Sequence, residues 1–218
     1  MSNIAGKAYA MNVTTPMRPF FGLVSRWVFR AVRCFPATLN RLLGLSIIHF
    51  ARWVIVRRDQ WPNLGQGKEK LANDYLLFCS NFNGTWDQYI DAFSSGVAPG
   101  LNLVWYGNSR FPGAVPVTPF KDYIRANQHF TDFYYNATPG VAQRDIKSAL
   151  RVREILIELE RAHEWLDPPE FAGAFRAAMI RAQNDMGAHG PAPVASTDTA
   201  VSDSNKQSLP IEYMARAA

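Results

Sequence analysis

The stretch YLLFCSNFNGTWDQYIDAF, residues 75–93, changes its period in mid-course. Its first five residues are apolar, as in a strand with both faces covered. Asn83 and Gly84 then supply turn chemistry, Thr85 is a helix N-cap, and Asp87 falls in the first turn, where the helix dipole favours an acid. The spacing predicts a strand over 75–82, a tight turn, and a helix over 86–93.

Working outward, SIIHFARWVIVRR at 46–58 reads as another strand, rich in β-branched and aromatic residues. A polar loop with Pro62, Gly65 and Gly67 joins it to 75–82. Downstream, LNLVWY at 101–106 reads as a third strand, 120–128 as a short helix, and the alternating FTDFYYN at 130–136 as a fourth strand. Thr138, Pro139 and Gly140 make a turn into a long helix over 141–162, whose apolar face is Ile146, Ala149, Leu150, Ile155, Leu156 and Leu159. Successive strand, turn and helix units imply an α+β fold: a ferredoxin-like, four-stranded, mainly antiparallel sheet with helices on one face. The other face stays open for a second copy, a second domain or a ligand.

Composition divides the 218 residues into four parts. These are a basic amphipathic segment (1–45), the α+β domain (46–165), an alanine-rich helical extension (166–186) and a low-complexity arm (187–218) in which Gly, Pro, Ala, Ser, Thr and Asp dominate. The arm has too little apolar content to build a core and is expected to act as an extended interaction tail.

The charge is as uneven as the composition. Asp59 is the first acidic residue, and nine of the 23 basic residues precede it, leaving 14 basic against 18 acidic in the remainder. A cationic, aromatic-rich segment on a mildly acidic body points to an anionic, partly apolar partner surface. Arg26, Arg30 and Arg33 follow at steps of four and three and form one helical stripe beside Phe20, Phe21, Leu23, Val24, Trp27, Val28, Ala31 and Val32. A helix of about 16 residues is too short to span a bilayer, and an in-plane helix with its guanidinium groups at phosphate level fits better. A second stretch, 37–45 with Arg41, repeats the composition. The competing reading is a helix packed on the protein's own core with a solvated arginine stripe. The acid-free start has the make-up of a mitochondrial presequence, lacks the apolar run of a secretory signal, and is expected to be retained.

The chain offers little local chemistry. His49, His129, His163 and His189 are far apart, no CxxC occurs, and Cys34 and Cys79 sit in unlike contexts, so neither a metal site nor a disulfide is expected. GxSxG, P-loop and strand-following GxGxxG patterns are absent from the sequence. No recognition module accompanies the basic segment, whose arginines lie in apolar surface, so nucleic acid is not expected as a partner. His49 and Arg52 are the polar pair on the first domain strand, although residues three apart on a strand face opposite ways. Asn81 and Asn83 can hold a substrate or satisfy their turn. Asp87 and Asp91 can ligate a cation or form an exposed acidic face. Arg144, Lys147 and Arg151 make a stripe for solvent or phosphate.

The segments HFARWVIV (49–56), YLLFCSNFNGTWDQYIDAF (75–93), GLNLVWYGNSRFPG (100–113), FKDYIRANQ (120–128) and YYNATPGVAQRDIKSALRVR (134–153) resemble a group of uncharacterised bacterial proteins. Those carry an HFARW-type strand, a SNFxGxWxxYxxxF unit and a YxAxP turn. The resemblance covers 49–153 and implies no particular activity. In topology alone the order of elements is similar to the dimeric α+β barrel class, which includes dye-decolourising peroxidases and chlorite dismutases. That likeness would imply haem held by a proximal histidine, with an acid in a glycine-containing loop and a distal arginine. Here the turn reads Asn81-Phe82-Asn83-Gly84, with asparagine in the place of the acid.

Two functions follow as expectations. The first is an accessory subunit of a larger assembly, or a homodimer, held peripherally on the cytoplasmic face of a membrane. Phe20 and Trp27 would anchor it, Arg26, Arg30, Arg33 and Arg41 would meet phosphates, and no cofactor is required. The alternative is a peroxidase-like oxidoreductase acting on an apolar or peroxide substrate, with His49, Arg52, Asn83 and Tyr106 lining a pocket, and with haem possible only in this case.

Overall fold

The computed structural model describes residues 3–34 and 47–187, which form an α+β fold of one five-stranded antiparallel sheet and five helices. In chain order these are β1 (Ile4–Ala5), β2 (Ala8–Pro16), α1 (Phe21–Cys34), β3 (Ile48–Val56), β4 (Tyr75–Asn83), α2 (Trp86–Trp105), α3 (Val117–Asn127), β5 (Gln128–His129), α4 (Gln143–His163) and α5 (Pro168–Ala182). The stretch 37–45 with Arg41, and all of the C-terminal arm after Gly187, lie outside the described residues.

The sheet runs β1-β2-β4-β3, with β5 also on β2. Along one edge β2 pairs with β4 from Ala8↔Asn83 to Pro16↔Tyr75. Its other edge is shared, by β1 at Ala8 and Tyr9 and by β5 at Asn12 and Val13. Alternation explains the placement of β2: Tyr9, Met11, Val13 and Thr15 all point inward, opposite Phe82, Ser80, Phe78 and Leu76 of β4, and all eight are buried. Against this face pack Trp86, Tyr89, Ile90, Phe93, Leu101 and Trp105 of α2 and Phe120 and Ile124 of α3. Phe82 stacks on Tyr89 with ring centroids 3.7 Å apart, and Trp105 meets Phe78 and Trp53 edge-on. The Tyr89 hydroxyl shares a 2.6 Å hydrogen bond with Ser80, which satisfies the phenol that this stack buries.

Two expectations change, and two strands are added. Residues 4–5 and 8–16, to which the sequence assigned no element, supply β1 and the central strand β2. Residues 101–106 are not a strand: 101–105 are the last turns of α2 and Tyr106 its C-cap, and the helix bends at Val97 (φ −138°, ψ 23°) and resumes through Pro99. Proline is tolerated in the first turn after such a break, where its missing N–H has no helical partner to lose. Leu101 and Trp105, four apart, then bury together on the sheet. Residues 130–136 pair as a strand nowhere; beyond β5 they form a strap across the sheet face opposite α2. Asn12 donates to the Thr131 hydroxyl at 3.0 Å, Asn81 bonds the Tyr134 hydroxyl, and Asn136 donates to the Ala5 carbonyl at 3.1 Å.

The strap ends where the Lys7 N–H meets the Pro139 carbonyl at 2.7 Å. Gly6 makes this approach possible. Its φ is +64°, and a Cβ there would lie 2.0 Å from the Pro139 oxygen. Beyond the strap, α4 and α5 form a hairpin with its own small core of Ile155, Ala178 and Ala182. Asp167 caps α5 by accepting from the Glu170 N–H at 2.8 Å.

Candidate functional site

Helix α1 has no acidic residue in its first turn, yet the Asp74 carboxylate reaches it from the loop before β4. A Cβ on Gly22 would lie 2.3 Å from Asp74 Oδ2, so glycine sets how closely the helix approaches. Gly22 and Ser25 are buried, and Phe21 and Phe29 pack on the main core. The helix is thus seated by a narrow side that combines Gly22 and Ser25 with Phe21 and Phe29.

Its wide side faces out. Phe20, Leu23, Val24 and Trp27 are 86, 59, 52 and 68% exposed, beside exposed Arg26 and Arg30. The patch continues onto the end of α2 through exposed Leu103 and Tyr106, across a cleft lined also by Val28, Pro99 and Gly107. Arg18 is held in place at the rim: its guanidinium lies 4.9 Å from the Phe21 ring and 5.5 Å from that of Tyr106, and it donates to the Tyr106 carbonyl. Arg30 lies 5.0 Å over Trp27. Fixed cations beside exposed aromatics give the surface both charge and apolar area. Arg33 follows on α1, and Arg41 lies outside the described residues. Arg18 and Leu103 carry no sequence signal for this surface, Leu103 because LNLVWY has the composition of a strand.

The four candidates for a catalytic pocket do not converge. His49 is the extra residue of a bulge, since Ile48 pairs with Phe82 while Phe50 pairs with Asn81. Burial holds its imidazole below the ordinary range, partly offset by a hydrogen bond to Asn83. Asn83 itself is buried and committed: its amide donates to the Lys7 carbonyl at 2.6 Å and accepts from the Gln143 N–H at 2.9 Å. It ties the β1–β2 turn to the start of α4. Arg52 is exposed on the strap side of the sheet, across from Cys79. Tyr106 lies past the end of α2, in the α1 cleft.

Other pairings are also resolved. Asp87 and Asp91 both receive Lys121 at 2.9 Å, and Arg125 adds to Asp87 at 3.2 Å, so the acidic pair is neutralised by α3. Arg151 of α4 bonds Asp185, whose carboxyl it holds down at about 2 with help from Ser148. Among the described residues no group of three or more His, Cys, Asp or Glu is placed to hold a metal ion, and no helix is long and apolar enough to cross a membrane. The groove between α4 and α5, about 1220 Å³, is floored by Val152, Ile155 and Met179 and contains no catalytic pairing.

The fold and this surface define a class: an α+β protein that displays an amphipathic, arginine-bearing helix on the helical side of its sheet. No protein-family model matches the chain, and neither a curated protein nor a solved structure is significantly similar to it.

Proposed function

We propose that this protein is a peripheral membrane protein that docks on an anionic lipid surface through α1 and serves as an accessory subunit at the cytoplasmic face. One observation carries the reading: beside the Phe21 and Phe29 that seat it, α1 buries the small Gly22 and Ser25 and presents the large Leu23, Val24 and Trp27 outward, with Phe20 just before it, beside Arg26 and Arg30. A helix stabilised only by its own domain would bury the large residues and expose the small ones. Lipid is favoured over an apolar protein because the charges that α1 itself carries outward, Arg26 and Arg30, are basic, with Arg18 at the rim. We read the strand order β5-β2-β4-β3, with α1 joining β2 to β3 and α2–α3 joining β4 to β5, as a ferredoxin-like unit whose last strand is shortened to two residues.

The test is flotation of the full chain with vesicles of phosphatidylglycerol and phosphatidylcholine. Wild type is expected to float, and Arg26→Glu/Arg30→Glu/Arg33→Glu to stay at the bottom. At about 1 kcal/mol per basic residue, three reversals weaken binding by at least two orders of magnitude. Trp27→Ala/Leu23→Ala is expected to weaken binding even in low salt. Unchanged flotation of the triple variant removes the lipid surface from the proposal.

A further inference from the structure

The strap is built inside out. Its polar side chains, Thr131, Tyr134 and Asn136, bond the sheet, while Phe130, Phe133 and Tyr135 are 70, 82 and 74% exposed. The sheet face it leaves uncovered is also apolar: Phe50 and Val54 of β3 are exposed, and Tyr75, Leu77 and Cys79 of β4 are half-buried. A stretch of sheet with this much exposed aromatic area normally lies against something. Two charges flank it. Arg52, Cys79 and Asn12 stand in one cross-strand row, and Asn12 holds Thr131, the neighbour of Asp132. Arg52 and Asp132 are both exposed, and neither has an ion-pair partner among the described residues.

We propose that this face is the interface of a homodimer, with a two-fold axis lying along β4. Strands are about 4.8 Å apart, so Arg52 and Asn12 lie about 10 Å apart on either side of β4, and Asp132 is on the Asn12 side. Rotation about β4 carries Arg52 of one copy over Asp132 of the other, and the same operation makes the reciprocal pair. It also brings Phe133 of each copy toward Phe50 of its partner, because Phe50 shares its cross-strand row with Asn81, where Tyr134 of the strap is bonded. The occupant is a second copy because one face carries both halves of each contact, which is what an isologous interface requires. Helix α1 lies on the opposite side of the sheet and stays free, so the dimer does not depend on the lipid reading.

Sedimentation velocity of the full chain in detergent-free buffer tests this. Wild type is expected to dimerise, and Arg52→Asp and Asp132→Arg each to weaken the dimer by about tenfold or more, because each brings like charges together twice. An equimolar mixture of the two variants is expected to dimerise again. In a heterodimer the two substituted positions meet at one contact with their charges exchanged, and the other contact keeps the native Arg52 and Asp132. Neither misfolding nor contacts within one chain can produce that recovery. A wild type that is monomeric at all concentrations overturns the proposal, as does a mixture no more associated than its components. Wild type that is monomeric when pure but binds a different protein through the strap overturns it equally.

Discussion

The sheet and the α4–α5 hairpin are both apolar inside, but they hold together by different means. Beneath the sheet, seventeen buried side chains form one cluster dominated by aromatic rings, and Trp105, Tyr9, Tyr89, Phe78 and Phe82 are fully enclosed. The hairpin buries only Ile155, Ala178 and Ala182, and depends also on surface pairs, Arg151 with Asp185 and Arg181 with Glu158. Burial scales with apolar area, whereas exposed ion pairs add little each. The sheet is therefore the stable unit, and the hairpin opens before it.

The sharpest way to break this contrast is Trp105→Ala. It removes a ring enclosed by Trp53 and Phe78 and is expected to cost about 3–5 kcal/mol, measured by urea unfolding. A loss as small as that of a hairpin substitution would mean the two cores are equivalent. Gly6→Ala comes next. The alanine would have to keep φ at +64° with its Cβ against the Pro139 carbonyl, so about 3 kcal/mol is expected, through displacement of the strap. Exposure of Tyr134 to solvent, followed by its fluorescence or NMR signal, distinguishes this from global loss. Ile155→Ala is expected to cost about 2 kcal/mol, at the low end for such a truncation because the surrounding core is thin. Its effect should appear in amide exchange of α4 and α5 while β2 and β4 keep their protection.

The same contrast decides what the sequence disclosed. Residues 75–93 were legible because they turn from strand to helix at Asn83, Gly84 and Thr85, and Thr85 does cap α2 by accepting from the Gln88 N–H at 3.2 Å. The helix at 143–163 showed its apolar period, expected over 141–162, while those at 117–127 and 168–182 were expected at 120–128 and, from alanine-rich composition, within 166–186. β2 was concealed by its company: Tyr9, Met11, Val13 and Thr15 alternate with small or polar residues, a readable period-two signal, but they lie in an acid-free segment whose charge drew attention to a helix. LNLVWY has strand composition and helical structure because Pro99 restarts the helix and the core takes Leu101 and Trp105 at a spacing of four. FTDFYYN alternates as a strand does, yet its polar positions find partners in Asn12, Asn81 and the Ala5 carbonyl, and tertiary hydrogen bonds replace a ladder. Of the candidate surface, the arginines and aromatics of α1 were visible, while the side on which it rests, Gly22 and Ser25, was not, because small residues announce no direction.

Acid is the gentlest probe of the same contrast, and the two regions answer it at different pH. Asp185 has a folded pKa of about 2, below its ordinary 3.8, chiefly because Arg151 bonds the ionised form. A depressed carboxylate contributes stability that is complete above the unfolded pKa and is lost as pH falls through the folded one. The hairpin is therefore expected to hold unchanged down to about pH 4 and to loosen toward pH 2, with Asp185→Asn removing that dependence. His49 lies at the other end of the comparison. Burial lowers its folded pKa beneath the ordinary 6.5, so the unfolded chain binds its proton more readily, and the stability of the sheet declines as pH drops below about 6.5. His49→Gln should flatten the sheet's profile in that window and leave the hairpin's acid transition where it is. The two transitions are separable by following α5 amides and the Trp105 environment in one titration. If both regions loosen together, the hairpin is not an independent unit, and the Arg151 to Asp185 pair cannot be what sets its limit.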